Sequence, residues 1–273
     1  MLDAFILPDT PTPVFWFCCA TAIVILGISK SGLSGGAILS LPLMMMVMPV
    51  DKVAASMLPL LVLCDMNAIY HHRRNAVWSK VMAVYVPAVL GIASGAAVWW
   101  WVGEEGVDKF TLPLKRFVGV IAIVFGLYIG AREASLKWVE EHQPGKAWAV
   151  VAGVTAGFTT TLAHAAGPVV SLYLFSQRLG KIHFVGTMAW TFMLLNLTKL
   201  PFYAGVGMFS KEIFLFDLFL VPLIPVGSYM GKWILDHIPE KVFNRVIMVL
   251  AVLSGIQLLF NVPLIQMGLS VFR

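Results

Sequence analysis

The chain has 273 residues, of which 59% are hydrophobic and only 12% charged, with a net charge of +5 and a mean hydropathy of +0.87. A water-soluble domain carries roughly 25% charged residues to cover its surface, so a soluble enzyme, a disordered chain and a nucleic-acid binder are all excluded. Cys18, Cys19 and Cys64 lie inside apolar runs, with neither a disulfide framework nor a metal-ligand spacing. No metal and no cofactor are expected.

A membrane-spanning helix needs about 20 predominantly apolar residues. The N-terminal stretch carries Asp3 and Asp9 and no basic residue, which argues against a cleaved signal peptide. Residues 14–49 are too long for one span and are interrupted by Lys30-Ser31-Gly32 and Ser34-Gly35-Gly36. Clean apolar spans follow at 53–70, 81–102 and 113–131, separated by the basic stretch 71–80 and by a loop holding Glu104, Glu105 and Asp108. Residues 147–178 are again too long and are interrupted by Thr159-Thr160-Thr161, His164 and Gly167-Pro168. Clean spans then run at 184–204, 213–235 and 240–261. Continuous rather than alternating apolar runs exclude the strands of a barrel.

Glycine and hydroxyl residues at mid-depth break helices, and lipid cannot satisfy the backbone groups they free. The two interrupted regions are therefore expected to be discontinuous helices, buried in protein or lining a wet cavity. Sliding the sequence by 131 residues aligns Gly36 with Gly167 and runs ungapped to Lys80 on Lys211, with eight identities in 45 positions. Asp65 falls on Asn196 in this alignment. The expected fold is thus an all-α membrane protein of two pseudo-symmetric repeats, 1–138 and 139–273, each a discontinuous or re-entrant region plus three transmembrane helices. If both interrupted regions fold back as hairpins, the Lys/Arg tally without Lys30 is eleven inside and seven outside, against nine and nine if both cross. The positive-inside rule favours the hairpins, and the halves are then inverted.

Broken helices meeting at mid-membrane are how many carriers build a substrate site, with half-helix N-termini aimed at an anion. The expected substrate-binding residues are Ser31, Gly32, Ser34, Gly35, Gly36, Thr160, Thr161, His164, Gly167, Asn196 and Lys199, with Asp65, Asn67 and His164 in coupling or gating. Hydroxyls and open glycines without carboxylates at the breaks suit a small oxyanion rather than a cation. The same small residues also serve helix packing. Asp65 and Lys199 can pair with each other, or Lys199 can face the anion while Asp65 handles a proton; Lys199 can also snorkel from a span that ends near Pro201. Asp217, Lys232 and Arg245 lie near span ends and read as interfacial. Gly32-Leu33-Ser34-Gly35 also resembles the Gly-x-Ser-Gly of rhomboid intramembrane proteases, with Ser34 activated by His72 or His164, although a protease has no need of the second break.

Gly27–Pro42 (GISKSGLSGGAILSLP) followed by Val53-Ala54-Ala55-Ser56 resembles the first repeat of the TauE/SafE family of sulfite and organosulfonate exporters. Ala156-Gly157-Phe158, Ala166-Gly167, Val185-Gly186-Thr187 and Asn196 through Lys199 are similar to its second repeat. The resemblance implies a multi-pass carrier of the bacterial inner membrane, not an enzyme, that exports sulfite or a small sulfonate such as sulfoacetate by alternating access. Its partners would be that anion and the lipid bilayer. An anion channel of the same architecture is the alternative.

Overall fold

The computed structural model of the protein describes residues 5–7, 10–32, 40, 43–44, 47–133, 145–164, 166–205 and 207–260. Among them nine helices and no strands are found: α1 Thr12–Ser31, α2 Val50–His72, α3 Trp78–Glu133, α4 Lys146–Ala163, α5 Gly167–Ser176, α6 Lys181–Gly205, α7 Lys211–Leu220, α8 Leu223–His237 and α9 Glu240–Phe260. Apolar side chains also cover the outside. Trp100 is 87% exposed and Phe219 71%, which water would not tolerate over so wide a surface and lipid does. Thr12–Ser31 and Trp78–Val98 are each long and apolar enough to cross a membrane, and the pair α7–α8 is so if counted as one bent span.

Both interrupted regions break where expected. Pro13 sits in the first turn of α1, where its missing N–H costs nothing, and the helix stops at Gly32. The N–H of Leu7 donates to the carbonyl of Val47 at 3.0 Å, so the chain returns to the level from which α1 set out. In the second region α4 ends at His164, whose φ of 49° and ψ of 30° are left-handed, a conformation that stops a helix. α5 restarts at Gly167-Pro168. α4 runs parallel to the start of α3, with Gly153 against Val84 and Gly157 against Ala88. Beyond α5, Gln177 accepts a 2.6 Å hydrogen bond from Lys80 at the start of α3. This region too ends at the level where it began.

Two expectations are corrected. Spans 81–102 and 113–131 with a loop between them are one continuous helical stretch, α3, of 56 residues. Straight, it would measure about 84 Å. The contacts Val77–Thr187, Phe184–Phe243 and Met248–Gly130 join its ends over a far shorter path, so α3 bends back while keeping helical pairing. Residues 103–112, between the two expected spans, contain no proline, so no backbone donor is lost there. Conversely, the span expected at 213–235 is split into α7 and α8, bent by 45°. Pro222 and Pro225 remove two N–H donors there, the usual cause of a sharp kink.

Close helix contacts fall on glycines four apart: Gly91 and Gly95, Gly126 and Gly130, Gly153 and Gly157, Gly227 and Gly231. α4 lies on α3 through the first and third pairs, α9 on α3 through the second, and α8 on α1 through the fourth, where Gly27 faces Gly227 and Gly32 faces Gly231. A Cβ on Gly157 would sit 2.1 Å from the Ala88 carbonyl oxygen, so these are backbone-to-backbone contacts of the small-residue kind. The broken region of each half is thereby packed on a helix of the other half.

Candidate functional site

The site grows from one face of α6. Phe192, Asn196, Lys199 and Tyr203 follow at helical spacing, and each meets a partner from another element. Asn196 donates from Nδ2 to Asp65 Oδ2 of α2 at 2.6 Å. Lys30, at the end of α1, places Nζ 2.7 Å from Asp65 Oδ1 and 4.1 Å from the centroid of the Phe192 ring. Asp65 is fully buried and Lys30 nearly so. Asp65 and Asn196 are 131 positions apart, the same offset that aligns the two halves.

One turn further along α6, Lys199 is 0% exposed. Its Nζ lies 3.1 Å from Thr160 Oγ1, 3.5 Å from the Thr160 carbonyl and 3.3 Å from His164 Nδ1. Tyr203 Oη lies 3.2 Å from both His164 Nε2 and the carbonyl of Thr161. An ammonium only donates and a carbonyl only accepts. His164 Nδ1 therefore accepts from Lys199, its Nε2–H donates to Tyr203, and the Tyr203 hydroxyl donates to Thr161. The left-handed backbone at His164 is what turns the ring from the end of α4 toward α6.

Snorkelling is thus overturned for Lys199, because α6 continues through Pro201 to Gly205 and keeps the amine inside. The Asp65–Lys199 ion pair also does not form: Lys30 and Asn196 occupy both carboxylate oxygens. Ser31 is buried, its carbonyl receives His72 Nε2 at 2.8 Å, and its Oγ has no partner among the described residues. Gly32 abuts Gly231. Ser34, Gly35 and Gly36 lie outside the described residues. The hydroxyls of Thr159 and Thr161 donate to Thr155 and Gly157 carbonyls of their own helix, both at 2.8 Å, while the Thr160 hydroxyl meets Lys199. A Cβ on Gly167 would meet nothing within 4 Å among the described residues. Asn67, half-buried on α2, takes no part in these hydrogen bonds.

Sequence reasoning missed Phe192 and Tyr203, although both share the face of Asn196 and Lys199. It named His72 only as a partner for Ser34 and read it with the basic loop stretch, whereas that side chain is only 3% exposed. It placed Asp217 at an interface, whereas that side chain is 3% exposed and accepts from Ser56 Oγ at 2.5 Å. The two histidines considered for activating Ser34 are engaged, His72 by Ser31 and His164 by Lys199 and Tyr203.

The family model for the sulfite exporter TauE/SafE matches residues 19–258. The chain belongs to this family. No curated protein and no solved structure matches it. The TauE/SafE match takes in both breaks and every residue of the Lys30–Asp65–Asn196 and Lys199–His164–Tyr203 networks, and the family is one of membrane transporters.

Proposed function

We propose that this TauE/SafE protein is a secondary carrier that exports a small sulfur-containing oxyanion, sulfite or a sulfonate such as sulfoacetate, across a bacterial inner membrane. The observation that carries the reading is the charge balance of the buried cluster. Asp65 is taken up by Lys30 and Asn196, while Lys199 is held by neutral acceptors alone among the described residues. A buried cation without a carboxylate is costly. An oxyanion beside Lys199 would balance it, with Thr160, His164 and Gly167 around it.

Transport follows by alternating access between two inverted repeats. Two observations support that topology. Equivalent positions Asp65 and Asn196 touch each other, as residues on a pseudo-twofold axis must. Each broken region leaves and returns to the same level, one beside the start of α1 and the other beside the start of α3. An anion leaving a cell with a negative interior gains about 2.3 kcal/mol per charge per 100 mV, so the membrane potential favours export.

The test is binding to the purified protein of sulfite, sulfate, sulfoacetate, taurine and acetate, followed by counterflow of the tightest ligand in proteoliposomes. Saturable, selective binding of sulfite or a sulfonate with counterflow is the expected result. Equal indifference to all five would end the sulfur-anion reading.

A further inference from the structure

Asp217 is the one buried carboxyl that the anion site does not use among the described residues. It lies mid-way along α7, flanked on its own helix by buried Ile213, Phe216 and Leu220. Oδ1 meets Ser56 Oγ of α2, and Oδ2 has no partner among the described residues. No Lys, Arg or His among them forms an ion pair with it. The groups around it are few. On α2, Lys52 is one turn from Ser56; on α7, Lys211 and exposed Glu212 are more than a turn away. The titratable side chains of α1, which packs Phe15 and Trp16 on Phe216, are Cys18, Cys19 and Lys30. Lys30 belongs to Asp65.

An ionised carboxylate buried with one hydroxyl donor and one orphaned oxygen is strongly disfavoured. A neutral acid fits the same geometry: the Ser56 hydroxyl donates to Oδ1 as the acid's carbonyl oxygen, and no full charge is left on the unpaired Oδ2. The position also commands movement. The Val221 N–H is bonded to the Asp217 carbonyl immediately before the 45° bend into α8, and Ser56 shares α2 with Asp65.

We propose that Asp217 is the binding site of a coupling proton. With the proton bound, the α2–α7 contact is closed. Loss of the proton to water at the Glu212 end leaves a carboxylate that this contact cannot hold, and α7 shifts at its bend. Anion movement is then obligatorily linked to proton movement through a residue that never touches the anion. This inference rests on the carrier reading above.

The experiment uses the full chain in proteoliposomes, with sulfoacetate as the anion because its sulfonate stays ionised at all working pH values. Internal pH is followed by a trapped dye alongside counterflow of labelled sulfoacetate. In the wild type a sulfoacetate gradient should drive a pH change. Asp217→Asn, which mimics the neutral acid, should abolish that change while retaining counterflow, which also shows that the variant is folded. Sulfoacetate movement with unaltered proton movement in Asp217→Asn overturns the proposal and spares the carrier reading. An absence of counterflow for both sulfoacetate and sulfite in the wild type defeats the carrier reading and this proposal with it. Infrared difference spectra of wild type against Asp217→Asn provide a readout independent of transport: a protonated-carboxyl band lost in the variant is expected at neutral pH, and its absence from the wild type overturns the proposal.

Discussion

Lys199→Met keeps the length of the side chain and deletes its charge. Two unit charges about 4 Å apart interact by roughly 4 kcal/mol at an effective dielectric of about 20, and a hydrogen bond from a charged donor contributes about 1.5–3 kcal/mol. These overlap, so the loss of anion binding is about 2–4 kcal/mol, or roughly thirty- to several-hundredfold in Kd. The unliganded protein should respond in the opposite sense. Lys199 is fully buried with neutral acceptors only among the described residues, and relieving a desolvated cation leaves stability unchanged or raised. Calorimetric titration with sulfite and sulfoacetate, paired with thermal melts with and without anion, reads both effects. A Kd within about threefold of wild type, or an anion-induced rise in Tm that survives the substitution, would refute the placement of the anion at Lys199.

Asp65→Asn strands Lys30 without its carboxylate and should cost about 3–5 kcal/mol, whereas Lys30→Met with Asp65→Asn should recover most of it; equal melting of the single and double variants would contradict the pair. Gly157→Leu should lower Tm sharply, since its Cβ would lie 2.1 Å from the Ala88 carbonyl and overpacking costs at least about 1–3 kcal/mol. Gly167→Ala, whose Cβ would meet nothing within 4 Å among the described residues, should melt like the wild type. Thr187→Val loses the 3.0 Å bond from the Val77 N–H at the start of α3 and should cost about 1 kcal/mol in the same melts.

Local signals carried much of the fold. Apolar length located α2, α6 and α9, and the His164-Ala165-Ala166-Gly167-Pro168 run announced the second break because it combines a helix stop with a helix start. The 131-residue offset paired Asp65 with Asn196 before any contact was known. What stayed hidden depends on partners distant in sequence. Nothing near Lys199 says that α6 continues past Pro201, because Tyr203 is held by His164 and Thr161 some forty residues away. Asp217 looks interfacial by its place in the chain, and only Ser56, 161 positions earlier, keeps it inside. The sequence left Gly32 open between anion contact and packing, and its packing partner, Gly231, lies 199 positions away.

The exchange of packing partners between the halves has a consequence for how the protein is made. Gly27 and Gly227 are in contact but lie 200 positions apart. During synthesis α1 therefore enters the bilayer long before α8 exists, with a lysine at its end and a row of bare backbone along its face. Either half expressed alone lacks the surface on which its own broken region lies. Two separately inserted halves would have to find each other within the bilayer before either could finish folding. Joining them in one polypeptide makes that encounter intramolecular, and inserting the last two helices becomes the step that commits the first one.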